Sequence, residues 1–272
     1  EEALGAIALG KQIIIVGDPK QLPPTSFFDR LGETEIDEDK ELALDDSESI
    51  LDICMQTYRP ARRLCWHYRS EHESLINFSN HEFYDKDLIL FPSPIGIRRG
   101  LGIRHHYIKG ALYENRRNKA EAETVARAVL AHAQRHPELS LGVGTFNIQQ
   151  KELIEDYIER MRSANPGLDE FIERQSANNA PFFVKNLENI QGDERDVIFI
   201  STTYGPDSSR RVLQRFGPIN SDGGWRRLNV IVTRAKKRVE LFTSMRSSDV
   251  LVSSSSSRGV RALRAYLEYA EK

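Results

Sequence analysis

The chain has 272 residues and is nearly neutral, with 38 Lys and Arg residues against 40 Asp and Glu residues. Hydrophobic residues make up 39% of the sequence, which excludes wholesale disorder, because a chain of this composition can bury enough apolar surface to fold. Apolar runs such as Ile13–Val16 and Leu88–Phe91 are too short for a membrane span, which needs roughly 18 apolar residues.

Predicted strands and helices alternate along the chain. The strands are Gln12–Val16, Ile103–Lys109, Leu141–Phe146, Phe182–Leu187, Val197–Thr203 and Val239–Ser244. The helices are Ser47–Cys54, Glu71–His81, Arg117–His136, Gln150–Arg162, Arg226–Lys236 and a final one, capped by a serine of Ser253–Ser257, whose apolar face runs from Val260 to Ala270. This alternation predicts an α/β fold, with a mostly parallel sheet flanked by helices on both faces.

Charge is distributed unevenly along the sequence. Eleven acidic and two basic residues lie between Asp29 and Asp52, and we interpret this acidic stretch as a solvated linker or insertion. Nine basic and two acidic residues lie between Gly205 and Arg238. That basic stretch could meet phosphates, although a solvated surface is the alternative.

The two cysteines are Cys54 and Cys65. They cannot build a disulfide framework, and the sequence has no recognisable signal peptide or Cys/His cluster at metal-ligand spacing. We therefore expect a reducing, cytoplasmic environment and no resident metal site.

The string Gly17–Pro24 (GDPKQLPP) directly follows the first predicted strand. Ligands of open parallel sheets bind beyond the carboxyl ends of the strands. There the carboxylate of Asp18 and the amide of Gln21 could sense a phosphate, its Mg²⁺ or an attacking water. Gly-Asp-Pro is also common turn chemistry, so this string alone leaves both interpretations open.

Two further strings contain polar groups that could bind an anion. Tyr68 and Arg69 could stack a base and reach a phosphate, although a surface arginine beside a packing tyrosine is the alternative. Thr145 lies at a strand-to-helix junction that leads to Gln150. Backbone N–H groups at a helix start suit an anion or a nucleic-acid phosphate, and plain N-capping is the alternative.

The last two strings lie in the second half of the chain. Leu187–Asp196 holds four acidic residues, one arginine and Gly192, which allows a close backbone approach to a ligand. Arg226–Lys236 carries Arg227 and Arg234 seven residues apart, so on one helix they would lie on roughly the same side. An arginine aimed into a cleft can neutralise charge on a transferred phosphoryl group.

In this order, the strings resemble the later motifs of superfamily 1 helicases. Gly17–Pro24 resembles motif III, Tyr68-Arg69 motif IV, Gln191–Glu194 motif V and Arg227–Lys236 motif VI, while Thr145–Gln150 is similar to the short motif between IV and V. The resemblance runs from about Ile13 to the end of the chain. It is strongest to the branch that moves 5′ to 3′, which includes RNA-decay helicases and large bacterial members.

The resemblance implies a RecA-like P-loop NTPase fold that uses ATP and Mg²⁺, and it implies roles for matching residues. Gln21 would sense the γ-phosphate, Asp18 would lie near Mg²⁺, Tyr68 would stack on adenine, Arg69 would contact phosphates, Glu194 would hold the ribose and Arg234 would be the arginine finger. Thr145, Gln191, Gly192 and Asn229 would contact a single strand of DNA or RNA, with little sequence preference.

The sequence also departs from the family pattern. It has no G-x-x-x-x-G-K-[ST] string and no Walker B acids before motif III, and it begins without Met, so we expect both motifs to precede residue 1. Thr145-Phe146-Asn147 stands where the family has Thr-Pro-Tyr, and Asn186-Leu187-Glu188 stands where it has Thr-Val-Asp.

These features predict the following organisation. Residues 1–28 would end the first motor domain, 29–58 would be the acidic linker, and 59–272 would be the second RecA-like domain. This chain alone should be inactive. Its partners would be the Walker-motif domain of the same parent protein and a strand of nucleic acid. The motor would act as a monomer and would not bind a membrane. A non-catalytic binding scaffold with a degenerate motor is the alternative function, and a helicase–nuclease fusion is a second one.

Overall fold

The computed structural model describes residues 2–22, 50–58, 60–94 and 100–272. The chain divides into two compact units, Glu1–Cys65 and Trp66–Lys272. Most of the predicted acidic linker, and the two prolines that end the first motif string, lie outside the described residues.

The first unit contains two short helices, α1 (Glu2–Leu9) and α2 (Ile50–Thr57). The predicted buried strand at Gln12–Val16 is wrong. Its backbone joins no sheet among the described residues, and Ile14 and Val16 are each 79% exposed. A β-branched run becomes a buried strand only where neighbouring strands pair with it, and the described part of this unit supplies none.

The second unit has five strands and six α-helices in the part of the chain that the structure describes. The strands are β1 (Gly102–Tyr107), β2 (Leu141–Thr145), β3 (Phe183–Asn186), β4 (Arg195–Ser201) and β5 (Ala235–Thr243). The helices are α3 (Ser74–Glu82), α4 (Lys119–Arg135), α5 (Ile148–Arg162), α6 (Pro166–Ala177), α7 (Gly224–Val232) and α8 (Arg258–Glu271).

The five strands form one sheet in the order β1-β5-β4-β2-β3, and every pairing is parallel. All strands therefore start at one end of the sheet, which we call its amino end, and finish at the other, its carboxyl end. The predicted α/β fold with a parallel sheet is confirmed.

Both faces of the sheet are covered, as its alternating side chains require. Leu141 and Val143 point to the face packed by α4, α5 and α6, where the core also includes Val129 and Ile154. On the opposite face, Ile231 of α7 lies directly over β2. The strands are therefore apolar on both sides.

Helix starts follow the local capping chemistry. The side chain of Asn118 accepts the Glu121 N–H at the start of α4, and the side chain of Asn147 accepts the Gln150 N–H at the start of α5. Ser257 caps α8 in the same way, as the serine run predicts.

The prediction of one helix over Arg226–Lys236 is wrong. Helix α7 ends at Val232, and β5 begins at Ala235. The Thr233 hydroxyl closes the helix by donating to the backbone oxygens of Asn229 and Val230. Arg234 therefore lies in the two-residue connection and not two helical turns after Arg227.

Candidate nucleotide-binding and strand-binding sites

The sheet order brings separate motif strings together at its amino end. Glu194 directly precedes β4, while Arg234 and Lys236 flank the start of β5. Because β4 and β5 are neighbours, the Arg195 N–H donates to the Arg234 backbone oxygen at 3.2 Å. The side chains of Glu194 and Lys236 are therefore neighbours, although about forty residues separate them in the sequence.

Glu194 is the centre of a small ion-pair cluster. Its Oε2 lies 2.8 Å from Arg69 Nε, and its Oε1 lies 2.9 Å from Lys236 Nζ. The hydrogen bond from Lys236 and the charges of Arg69, Lys236 and Arg234 hold the pKa of Glu194 below its usual range against the opposing effect of burial. The side chains of Arg69, Glu194 and Lys236 remain 35–40% exposed, so a ligand from solvent can reach them.

The loop that carries Tyr68 and Arg69 is fixed at both ends. The Glu71 N–H donates to the Lys236 backbone oxygen at 2.7 Å, and Trp66 pairs with Ile89. Tyr68, in contrast, is 90% exposed. The structure therefore holds the loop backbone while leaving the aromatic ring accessible.

His67 adds an internal brace to that loop. Its Nε2 accepts the Ser70 N–H at 3.2 Å and lies 2.8 Å from Ser70 Oγ. Burial, assisted by the charge of Arg69, lowers the pKa of His67 to about 4. The imidazole is consequently neutral near pH 7 and remains available as an acceptor.

Arg234 is buried, and its side chain folds back on the end of α7. Its Nε donates to the Val230 backbone oxygen at 2.7 Å, and its guanidinium reaches Thr233 Oγ1 at 3.2 Å. It lies close enough to Glu194 for its charge to help lower the pKa of that carboxyl. An arginine-finger role would require this side chain to exchange its contact with the helix end for one with a phosphate.

The remaining predicted nucleotide residues, Asp18 and Gln21, lie in the first unit. Asp18 Oδ1 accepts the Lys20 N–H, and Asp18 Oδ2 accepts from Gln21 Nε2, each at 2.9 Å. The two side chains therefore form a compact turn. The structure brings Asp18 together with Gln21, and Arg69 together with Glu194.

The charge of the amino-end cluster fits a phosphate chain better than a cation. Three cationic side chains surround one carboxylate, whereas Mg²⁺ prefers several oxygen ligands. Within residues 2–22, 50–58, 60–94 and 100–272, no group of three or more His, Cys, Asp or Glu side chains could hold a metal ion.

The predicted strand-binding residues occupy different environments. Thr145 ends β2 at the carboxyl end and is buried, with its Oγ1 donating to the Asn147 backbone oxygen. Asn229 is buried in α7, where its Nδ2 donates to the Tyr84 hydroxyl. Gly192, in the loop from the carboxyl end of β3 to the amino end of β4, is exposed and has φ +86°. Its neighbour Gln191 is half-buried.

The sequence predicts neither the buried Glu121 nor the ion-pair partners of Lys236 and Arg227. Lys236 pairs with Glu194, Arg227 Nε donates to Glu188 Oε1 at 2.7 Å, and Glu121 is a fully buried carboxylate. The signal for Glu121 was its place three residues after the capping Asn118, at the start of an otherwise apolar helix face. The pairs of Lys236 and Arg227 depend on strand and loop neighbours that no local pattern gives.

Comparison with known proteins places the chain in a family. A family model described as an AAA domain matches residues 103–246, and the chain belongs to that family. Over 278 aligned residues it is 39% identical to an uncharacterized ATP-dependent helicase of Mycoplasma pneumoniae and to its counterpart in Mycoplasma genitalium. Each alignment covers 100% of this chain and 24% of the relative, so the chain spans about a quarter of these curated relatives. The predicted recognition as part of a helicase is confirmed.

One solved structure also aligns with the chain. The C-terminal domain of a possible DNA helicase from Lactobacillus plantarum matches 64% of this chain and 85% of its own, with 11% identity and a TM-score of 0.31. Among the helices in the described ranges, none is both long enough and apolar enough to cross a membrane.

Proposed function

We propose that this chain forms the second motor domain of a larger ATP-dependent helicase, which couples ATP hydrolysis to translocation on single-stranded nucleic acid and to unwinding. One observation carries the proposal. Arg69, Glu194 and Arg234 come from three separate segments that the helicase resemblance assigns to one nucleotide, and they converge at the amino end of the sheet.

The cluster suits the two ends of a nucleoside triphosphate. The exposed ring of Tyr68 is available for an adenine, and the ionised Glu194 can accept hydrogen bonds from ribose hydroxyls. Phosphate oxygens would compete with Glu194 for Arg69. Lys236 would keep Glu194 paired after that exchange, which lowers the cost of releasing Arg69.

The rest of the cleft belongs, in this proposal, to a Walker-motif domain of the same parent protein. That domain would hold most of the Mg²⁺ site, and Asp18 and Gln21 would contribute from the end of the first motor domain. We expect the 272-residue chain alone to be inactive and the parent to act as a cytoplasmic monomer. Cys54 and Cys65 are free thiols, which is compatible with a reducing compartment.

The test is ATP hydrolysis by the parent protein without nucleic acid, with single-stranded DNA and with single-stranded RNA. Each condition is run for the wild type and for Arg234→Ala. We expect one strand type to stimulate turnover and Arg234→Ala to lower it by about 10³-fold or more, as removal of an arginine finger does. The matched control is Arg127→Ala, which removes an exposed arginine from α4 and should leave turnover unchanged.

Three other results would each contradict part of the proposal. Full turnover by Arg234→Ala would remove that residue from the finger role. Clear turnover by the 272-residue chain would contradict the half-site model. An inactive parent under every condition would favour the non-catalytic binding scaffold.

A further inference from the structure

A buried acid connects three segments at the carboxyl end of the sheet. Glu121, in the first turn of α4, is 0% exposed. Its Oε1 accepts from Ser201 Oγ and from the Thr203 N–H, each at 2.6 Å. Asn118 Nδ2 donates to Glu121 Oε2 at 3.4 Å and to Ser244 Oγ at 2.7 Å, and Ser244 lies close enough to help lower the pKa of the carboxyl group. Glu121 thereby joins the ends of β4 and β5 to the start of α4.

One of these donors has a costly backbone conformation. Thr203 has φ +67°, in the left-handed region that β-branched residues rarely adopt. Its side chain is fully buried. Because the Thr203 N–H points at Glu121 Oε1, the buried acid stabilises this strained form.

The same network reaches the loop between β2 and α5. The Asn118 N–H donates to Gln150 Oε1 at 2.8 Å, and Gln150 Nε2 donates back to the Asn118 backbone oxygen at 3.1 Å and to Ser201 Oγ at 3.2 Å. Asn147, which follows Thr145 in that loop, accepts the Gln150 N–H through its side chain. A change at Ser201 is therefore expected to shift the loop that directly follows Thr145.

Two loops beside this network contain arginines, together with the acidic residues Glu114 and Asp207. Arg116 is partly exposed, has φ +61°, and its backbone oxygen accepts from Asn147 Nδ2 at 3.0 Å. Arg210 and Arg211, in the segment that follows β4, are exposed. Left-handed backbone at non-glycine residues together with cations is a combination found at ligand sites.

We propose that Glu121 is a positioning residue that holds the loops at the carboxyl end of the sheet in the form that binds a nucleic-acid strand. It acts through Thr203 and Gln150 and does not itself touch the strand, since it is enclosed. This inference rests on the proposed function, because it assumes that the carboxyl-end loops meet a nucleic-acid backbone.

The experiment measures two quantities on the parent protein: the Kd for a fluorescent oligonucleotide by anisotropy, and ATP turnover without nucleic acid. Glu121→Ala should raise the Kd at least tenfold, while turnover without nucleic acid stays within twofold of the wild type. Adding Thr203→Gly to Glu121→Ala should recover most of the lost affinity, because glycine adopts the left-handed conformation without the bond from Glu121.

Two variants separate positioning from general destabilisation. Val129→Ala truncates the core face of the same helix and should lower the melting temperature without changing the Kd. Glu121→Gln keeps an acceptor for the Thr203 N–H and should raise the Kd less than threefold. If Glu121→Ala does not fold, Glu121→Gln is compared with the double variant Glu121→Gln, Thr203→Gly, which should bind as the wild type does.

The failures of the two proposals look different. A parent that binds the oligonucleotide without hydrolysing ATP contradicts the motor function and still tests Glu121 through the Kd. An unchanged Kd in Glu121→Ala, or no recovery on adding Thr203→Gly, overturns the role of Glu121. A wild-type parent that binds no oligonucleotide overturns both proposals.

Discussion

Burial raises the pKa of Glu121 to about 7, although hydrogen bonds from Ser201, Thr203 and Ser244 oppose the shift. In the unfolded chain this carboxyl titrates near its ordinary value of 4.5. Between these two values the folded state binds more protons than the unfolded state. The contribution of Glu121 to the free energy of unfolding therefore falls as the pH rises from about 4.5 to about 7, and it is constant above that range.

Glu121→Gln removes this titration and therefore tests its contribution to stability. We expect the free energy of unfolding of the wild type, minus that of the variant, to fall by about 1–3 kcal/mol between pH 5 and pH 8. Urea unfolding at each pH measures the difference. The subtraction is needed because the lowered pKa of His67, about 4, makes its own contribution rise with pH up to about 6.5. Parallel profiles for the two proteins would contradict the prediction.

The close contact between strand β2 and helix α7 depends on a glycine. A Cβ at position 144 would lie 2.6 Å from Ile231 Cδ1 and 3.1 Å from Ile190 Cδ1. Such separations force side chains or backbone to move, and overpacking of this kind costs about 1–3 kcal/mol. The sheet and the helix therefore fit together only because β2 has no side chain at this position.

Gly144→Ala tests the packing of these two elements by urea unfolding. We expect a loss of about 1–3 kcal/mol in the free energy of unfolding. Ile231→Val removes the clashing Cδ1, so the double variant should lose less than the sum of the two single variants. Gly167→Ala, in α6 with open space around the new Cβ, is the matched control and should be neutral or slightly stabilising. Additive losses would show that the two residues do not interact.

Hydrophobic periodicity predicts most elements of the second unit, because long helices such as α4 and buried strands such as β2 repeat their pattern locally. Helix α6 was not predicted, since its buried side chains, Leu168, Phe171 and Gln175, include a polar one and give a weak apolar stripe. The predicted helix extends from α7 into the start of β5. The first residues of β5, from Ala235 to Arg238, are mostly charged and lack the apolar run that is typical of a buried strand.

The candidate site was predictable in its residues but not in its pairings. The motif strings named Arg69, Glu194 and Arg234, and the first two are in direct contact. Lys236 joins them because β5 lies beside β4, and the order of strands in a sheet is not written in any local pattern. The network around Glu121 depends on the same long-range order.

The basic segment from Gly205 to Arg238 makes the distribution of charge over the molecule uneven. Net charge is close to zero, so attraction to a polyanion depends on where the cations lie. Arg210 and Arg211 are exposed in the segment after β4. If they meet strand phosphates, each removed contact should weaken the salt dependence of binding.

We expect the affinity of the parent for a single-stranded oligonucleotide to fall with rising salt, linearly in a double-logarithmic plot. Arg210→Gln with Arg211→Gln should reduce the magnitude of the slope by about 1, given about 0.7 per phosphate contact on single strands. The control pair is Arg127→Gln with Arg160→Gln, on the exposed surfaces of α4 and α5. Equal slopes for the two double variants would place the strand elsewhere.

Strand β4 connects the two ends at which these experiments act. Glu194 stands immediately before it, and Ser201 closes it. Its seven residues span about 20 Å, and it is paired on one side with β2 and on the other with β5, which fix its register. The distance between the two ends of the strand is therefore fixed. Under the proposed function, a nucleotide that displaces the backbone at Glu194 would move β4 as one piece, and Ser201 and the loops at the carboxyl end of the sheet would move with it.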